Sequence, residues 1–158
     1  RAGPGLQSRG VGHGRQRHLR VAIRGDDTQW LDGDSGLAAT AFLSSLQALR
    51  VSLNQRLFLG LEEEEAHFAC YPVGARYHRH RDQFHDSDAR VLSIVSYLNQ
   101  DWLPEHGGEL RLYLPQAAID LLPHAGTSVV FLSSIEHEVL PATRERTSIA
   151  AWLRTRPR

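Results

Sequence analysis

Apolar residues recur at helical spacing in the first half of the chain. Six of them fall on one face of a 3.6-residue period: Leu37, Phe42, Leu46, Leu49, Leu53 and Leu57. Asp34 and Ser35 precede this series, and both are residue types that accept backbone N–H groups at the start of a helix. The pattern predicts one amphipathic helix over residues 35–59.

From His67 onward, short stretches rich in β-branched and aromatic residues replace the helical pattern. Gly, Pro, Asn and Asp separate the segments, which are HFACYPVG, ARVLSIVSYLN, GGELRLYL, GTSVVFL, HEVLPA and RTSIAAWL. One more short strand is expected before the helix, within LRVAIRGDDTQWLDG. Short strands without alternating helices are typical of sandwiches and barrels. We therefore expect a mainly β fold, in which the helix flanks a double-stranded β-helix (jelly-roll) core over residues 62–153.

Length and composition limit the architecture and the cellular setting. The 158 residues suit a single domain, and 41% hydrophobic residues suit a folded, soluble one. No apolar run approaches the roughly 20 residues that span a bilayer, and the beginning of the chain lacks a signal peptide's apolar segment. Cys70 is the one cysteine and is expected to pack as a small buried residue. These features together predict a cytoplasmic protein.

Charge is balanced overall but is unevenly distributed. The chain has 18 Arg, no Lys and 18 acidic residues, while residues 1–24 contain six Arg and no acid. We interpret residues 1–19 as a basic, solvated arm, and the acidic run Glu62 to Glu65 as a solvated connection. Balanced charge argues against general nucleic-acid binding. Because the chain starts at Arg1 and has no Met, we expect further residues to precede it in the natural protein.

The segment YHRHRDQFH contains a candidate metal site. On an extended strand alternate side chains share a face, so His80 and Asp82 are expected to point the same way. His137, which opens the later strand HEVLPA, is the candidate third ligand. Two His and one carboxylate form the facial triad that leaves positions open on Fe(II), although zinc or manganese would suit the same spacing.

A second candidate site follows from alternation in the last strand. Arg146, Ser148 and Trp152 share one face of RTSIAAWL. An Arg that faces a β-sandwich interior needs an anionic partner, because burying an unpaired cation is very costly. Guanidinium binds carboxylate through two parallel hydrogen bonds, so a dicarboxylate whose other end chelates the metal is the natural partner. Tyr97, on the inner face of another strand, is a candidate hydroxyl donor.

Taken in order, four segments resemble a known enzyme family. CYPVGARYHRHRD, ARVLSIVSYLNQDW, GGELRLYL and HEVLPATRERTSIAAWL are similar to the Fe(II)- and 2-oxoglutarate-dependent prolyl 4-hydroxylases. The likeness is to the oxygen-sensing type of animals and to its bacterial relatives. It covers residues 20–153.

The resemblance implies a role for each matched residue. His80, Asp82 and His137 match the iron ligands, and Arg146 matches the residue that binds the distal carboxylate of 2-oxoglutarate. Three further residues are placed at the 2-oxoglutarate site: Tyr97, Tyr71 and Ser148. Five more match positions at the substrate entrance or in a substrate-covering loop: Arg90, Trp152, Arg24, Asp26 and Trp30.

The expected activity is hydroxylation of a prolyl residue in a protein, with Fe(II), 2-oxoglutarate and dioxygen required and ascorbate as a candidate accessory. Bacterial relatives of this type act on elongation factor Tu, which makes that factor the candidate substrate. Two alternatives stay open: the same chemistry on nucleic acid, and a β-sandwich binding module that holds metal without catalysis. Membrane partners are not expected, and the sequence does not predict an oligomeric state.

Overall fold

The computed structural model describes residues 25–83 and 89–156. One helix, α1 (Leu37–Leu57), and one 3₁₀ turn, Pro104–His106, accompany the strands. The strands are β1 (Asp27–Trp30), β2 (Glu63–Tyr71), β3 (Tyr77–His80), β4 (Arg90–Tyr97), β5 (Leu110–Tyr113), β6 (Ala118–Leu121), β7 (Ser128–Leu132), β8 (His137–Val139) and β9 (Arg146–Arg154).

The strands form two antiparallel sheets. The five-stranded sheet has the order β1-β2-β9-β4-β7, and the four-stranded sheet has the order β3-β8-β5-β6. Side chains from the inner faces of both sheets line one cavity. This arrangement confirms the predicted jelly-roll core with a flanking helix.

The helix packs on the outer face of the five-stranded sheet. Leu46 is buried there against Ala66, Ile94 and Leu153. The predicted start of the helix was two residues early, and its cap was wrong. Gly36 occupies the N-cap with φ 101° and no side-chain cap bond, while the Ser35 hydroxyl donates to Asp32 in the preceding turn.

The interpretation of the acidic run as a solvated connection was wrong. Glu63 begins β2, and three of the four glutamates pair across the sheet with β9. Their carboxylates are partnered by guanidinium groups: Arg50 donates to Glu64, and Arg90 and Arg154 both donate to Glu65. Guanidinium groups from the helix and from two other strands neutralise these charges, and none of them is adjacent to the glutamates in the sequence.

The sequence prediction missed β6, a four-residue edge strand that is mostly exposed. Arg111 on β5 donates two hydrogen bonds to Asp120 on β6, at 2.7 and 2.8 Å. The strand predicted before the helix is present as β1. The predicted basic arm, residues 1–19, lies outside the described residues. Over residues 25–83 and 89–156, the structure has no helix of the length and apolar character that crossing a membrane requires.

Candidate metal centre and anion site

A small cavity of about 60 Å³, open to solvent at its mouth, lies between the two sheets. The four-stranded sheet contributes His137 and, at the end of β3, His80. The five-stranded sheet contributes Tyr71, Arg146 and Trp152. Residues that are 75 positions apart in the sequence, Tyr71 and Arg146, are direct cross-strand partners. The cavity is therefore the place where the two candidate sites of the sequence meet.

His80, Asp82 and His137 converge at one end of the cavity. Their ligand atoms all lie within 4.8 Å of one another, and they are the one such group among the described residues. His80 Nε2 is 3.5 Å from Asp82 Oδ1, and His137 Nε2 is 3.6 Å from Asp82 Oδ2. The convergence follows from strand pairing, because His80 and His137 are register partners between β3 and β8.

Backbone carbonyl groups fix the orientation of both imidazoles. His80 Nδ1 lies 2.7 Å from the carbonyl oxygen of His78, and His137 Nδ1 lies 3.0 Å from that of Ile135. Only a protonated Nδ1 can make these bonds, so in the neutral form of either ring the lone pair is on Nε2. His80 Nε2 is buried without a hydrogen-bond partner. Such an arrangement is typical of metal-ligating histidines.

Hydrogen bonds from the five-stranded sheet hold the Asp82 carboxylate. The Ser93 hydroxyl donates to Asp82 Oδ2 at 2.7 Å and lies 2.9 Å from the Ser133 hydroxyl. Burial alone would raise the pKa of Asp82, but the close approach of His80, the charge of His137 and the Ser93 hydrogen bond hold that pKa well below its usual range. Burial lowers the pKa of His137, against the opposing charge of Asp82. An ionised carboxylate and a neutral imidazole are the forms that bind a metal ion.

Arg146 lies at the other end of the cavity and is 1% exposed. Its Nε donates to the Gly108 carbonyl oxygen at 2.9 Å, and its guanidinium carbon is about equally distant from the rings of Tyr71 and Tyr97. Among the described residues no carboxylate forms an ion pair with it. A buried cation without a counter-ion is strongly unfavourable, so this end of the cavity is suited to an anion.

Two polar atoms at this end of the cavity are available to that anion. Arg146 Nη2 and the Tyr97 hydroxyl are both buried and have no hydrogen-bond partner in the structure. Burial raises the pKa of Tyr97 to about 12, although the charge of Arg146 opposes the increase. The hydroxyl is therefore protonated at neutral pH and able to donate. Ser148, the register partner of Tyr97, is buried in the same wall.

Aromatic and charged side chains form the mouth of the cavity. The Arg90 guanidinium stacks on the Trp152 ring at 3.8 Å, and Glu65 holds it there. Trp30 from β1 reaches Trp152 with a ring separation of 6.3 Å. His67, which sequence reasoning missed, lies between them with its ring centroid 5.2 Å from each. Alternation from Tyr71 back along β2 places His67 on the inner face and was the signal that could have found it.

Of the other predicted site residues, Arg24 lies outside the described residues. Asp26 precedes β1 and is not among the described residues that line the cavity. His78, which lies in the same segment YHRHRDQFH, is exposed and contributes only its carbonyl group to the site. His85 lies outside the described residues.

The donor set fits the groups that the sequence resemblance implies. Two imidazole nitrogens and one carboxylate suit Fe(II), and they suit zinc and manganese as well. The partnerless guanidinium nitrogen and hydroxyl at the opposite end suit a carboxylate. A molecule that chelates a metal at one end and carries a carboxylate at the other matches both ends, and 2-oxoglutarate is such a molecule.

Comparisons with known proteins agree with this geometry. The family model of the 2OG-Fe(II) oxygenase superfamily matches residues 66–154, which include all three candidate ligands and Arg146. Egl nine homolog 1 of Homo sapiens is 33% identical over 140 residues, covering 82% of this chain and 33% of the relative. The Mus musculus protein of the same name is 32% identical and is covered to 35%. This chain thus spans about a third of the length of these curated relatives.

Two solved structures are also similar. A Pseudomonas putida prolyl-4-hydroxylase has a TM-score of 0.83 and 47% identity, covering 90% of this chain and 82% of that one. A prolyl hydroxylase in complex with a hypoxia inducible factor oxygen degradation domain peptide fragment, from Trichoplax adhaerens, has a TM-score of 0.76 and 32% identity, covering 95% and 69%. With the family match and the identity to the Pseudomonas putida enzyme, the chain belongs to the 2OG-Fe(II) oxygenase superfamily and, within it, to the prolyl hydroxylases.

Proposed function

We propose that this chain is an Fe(II)- and 2-oxoglutarate-dependent dioxygenase that hydroxylates a prolyl residue in a protein. The observation that carries the proposal is the shared cavity, in which the His80, Asp82 and His137 group faces the partnerless Arg146 and Tyr97 donors. Family membership supplies the identity of the cofactors. Ascorbate as an accessory reductant, the single-domain organisation and a cytoplasmic location belong to the same proposal.

When bound, Fe(II), 2-oxoglutarate and dioxygen supply the chemistry: one oxygen atom enters a C–H bond of the substrate, and succinate and carbon dioxide are released. His80, Asp82 and His137 would hold the ion from one side and leave its other positions open. Arg146 Nη2 and the Tyr97 hydroxyl would bind the distal carboxylate, with the Tyr71 ring packed against the guanidinium group.

The walls of the cavity exclude water from the reacting groups. Val95 and Val139 are among the apolar residues that line it. Such apolar walls keep competing water away from a reactive centre and strengthen the charge interactions inside it. The protein's contribution is thus geometry, an anion clamp and a shielded cavity, while the cofactor performs the difficult oxidation.

The substrate would enter past the aromatic mouth. Trp152 and Arg90 form one side of the opening, and a prolyl ring is an apolar group that suits the Trp152 face. In the proposal Arg24 and Asp26 contact the protein substrate from the segment before β1. Elongation factor Tu is the proposed substrate, and the 47% identity to a bacterial prolyl-4-hydroxylase supports a bacterial target.

Mass spectrometry of a treated bacterial cell extract tests the proposal. Extract incubated with the chain, Fe(II) and 2-oxoglutarate should show prolyl peptides that have gained one oxygen atom, with elongation factor Tu among them. Asp82→Ala, which removes the carboxylate ligand, should give no such gain. Equal oxidation with wild type and Asp82→Ala would contradict the metal assignment.

The two alternatives predict different results. Oxidised nucleic acid with unmodified prolyl peptides would show that the chain acts on nucleic acid. Retention of a metal ion without any consumption of 2-oxoglutarate would identify the non-enzymatic binding module. Oxidised prolyl peptides that do not include elongation factor Tu would keep the reaction and change its substrate.

A further inference from the structure

Gly108 lies directly behind the Arg146 side chain, on the segment that leads into β5. We propose that Gly108 is a positioning residue that sets the selectivity of the anion site for 2-oxo diacids. Its carbonyl oxygen and its lack of a side chain together place the Arg146 guanidinium where the distal carboxylate binds. This inference rests on the proposed function, because it takes Arg146 as the carboxylate clamp.

The carbonyl oxygen of Gly108 anchors one side of the guanidinium group. Arg146 Nε donates to it at 2.9 Å within the buried interior. Because the guanidinium group is planar and its donors have fixed directions, binding Nε in one place also fixes the directions of the two Nη groups. Nη2 is left buried and without a partner in the cavity wall. Anchoring at Gly108 therefore determines which donor faces the anion.

The space that a side chain would occupy at position 108 is already filled. A Cβ atom there would lie 2.9 Å from Ala142 Cβ, 3.1 Å from Trp102 Cζ2 and 3.3 Å from Arg146 Cδ. The Trp102 ring is buried, and its Nε1 donates to the Gly107 carbonyl oxygen at 2.9 Å, so the ring is held in place. Ala142 is also buried. The shortest of these contacts is with Ala142, and the contact with Arg146 Cδ, on the clamp side chain itself, is also closer than ordinary van der Waals distance.

A methyl group at position 108 is thus expected to displace the clamp, and the chain contains a matched control. Gly108 has φ +72°, and Gly126 has φ +79°, so an alanine is strained to a similar degree at either position. No heavy atom lies within 4 Å of a Cβ added at Gly126. Gly126→Ala therefore reproduces the backbone strain without the contact to Arg146.

The test measures ligand binding rather than turnover. Fe(II)-loaded protein is titrated by calorimetry in the absence of oxygen with 2-oxoglutarate, and separately with 2-oxopentanoate, which carries a methyl group in place of the distal carboxylate. Gly108→Ala should raise the Kd for 2-oxoglutarate about tenfold or more and leave that for 2-oxopentanoate within about twofold. Gly126→Ala should change neither. General damage to the fold would weaken the binding of both ligands equally.

Trp102→Phe provides a second variant in case Gly108→Ala does not fold. It removes the Nε1 bond to Gly107 and loosens the wall behind Gly108, so the same selective loss of 2-oxoglutarate binding is expected. If the folded variant binds both ligands equally more weakly, or binds both as the wild type does, the proposal is overturned. Arg146→Ala separates the two levels of the argument. If Arg146→Ala selectively weakens the binding of 2-oxoglutarate and Gly108→Ala does not, the positioning role of Gly108 is refuted and the clamp role of Arg146 stands. If Arg146→Ala weakens the binding of both ligands equally, both roles are refuted.

Discussion

At the residue scale, the chemistry of the metal site depends on which atoms face the cavity and which are already bonded. Both imidazoles use Nδ1 on backbone carbonyl groups, and this leaves Nε2 for an ion. Asp82 receives its support from Ser93, a residue that the sequence analysis assigned no role. No sequence signal separates Ser93 from other strand serines. Its importance comes only from the approach of β4 to the segment after β3.

Ser93→Ala tests this support directly. Removing the hydroxyl leaves one oxygen of the buried Asp82 carboxylate without its donor, and loss of such an outer partner typically weakens metal binding about 10- to 100-fold. Chelator competition measures the affinity for Fe(II). Ser96→Ala is the matched control, because Ser96 is also on β4 but its hydroxyl bonds to the Ser128 hydroxyl at an exposed position. Equal affinities for wild type and Ser93→Ala would contradict the assignment.

Cys70 is expected to be unreactive. Burial raises the pKa of its thiol to about 11, and the nearby Glu145 carboxylate adds to the increase. At pH 8 only about one thiol in a thousand would then be the reactive thiolate. Alkylation by iodoacetamide should be much slower in the folded chain than in urea at pH 8, and should accelerate as the pH approaches 11. Alkylation at pH 8 that is as fast in the folded as in the unfolded chain would refute this expectation.

At the scale of elements, the sequence predicted the helix and strands in which apolar residues recur with the period of the element. The alternation in RTSIAAWL correctly placed Arg146, Ser148 and Trp152 on the inner face of β9. The glutamates of β2 were missed because long-range pairing places them in a strand. The start of the helix was missed because Ser35 bonds to Asp32 in the preceding turn, and β6 because most of its residues are exposed and show no alternating burial. Among the glutamates, Glu65 is an example. Arg90 and Arg154 neutralise its carboxylate within the folded sheet, and neither residue is near Glu65 in the sequence.

The packing of α1 on the five-stranded sheet is open to a stability test. Leu46 is the buried residue of the helix, so Leu46→Ala should lower the free energy of unfolding by about 2–5 kcal/mol. Leu37, in the same series of apolar positions, is 93% exposed. Leu37→Ala should therefore change the free energy of unfolding by less than about 0.5 kcal/mol. Urea denaturation measures both. Similar losses for the two variants would show that the helix packs differently.

At the scale of the whole molecule, the site exists because two sheets face each other. The two candidate histidine ligands belong to the four-stranded sheet, whereas Arg146 and Tyr97 belong to the five-stranded sheet. Asp82 links them, since Ser93 on β4 holds its carboxylate and the Ser133 carbonyl oxygen accepts from its backbone N–H. A ligand that occupies both ends therefore bridges the sheets. Sequence reasoning proposed the candidate residues at both ends of the cavity, and the resemblance to a family was needed to name the ligand.

The identity of the protein substrate could not be derived in the same way. The proposed substrate would meet the mouth of the cavity, where His67 and Glu65 are held by contacts between strands that the sequence does not display. Arg24, which the resemblance assigned to substrate binding, lies outside the described residues. The comparison proteins establish the family and leave the substrate as a proposal.

The central claim is that the metal centre and the anion clamp are two ends of one 2-oxoglutarate site. Calorimetric titration of 2-oxoglutarate under anaerobic conditions, with and without Fe(II), tests it most directly. We predict that tight binding requires both the ion and Arg146, so that omitting Fe(II), Asp82→Ala or Arg146→Ala each raises the Kd by at least about tenfold. Binding of unchanged affinity without the ion and in both variants would contradict the account.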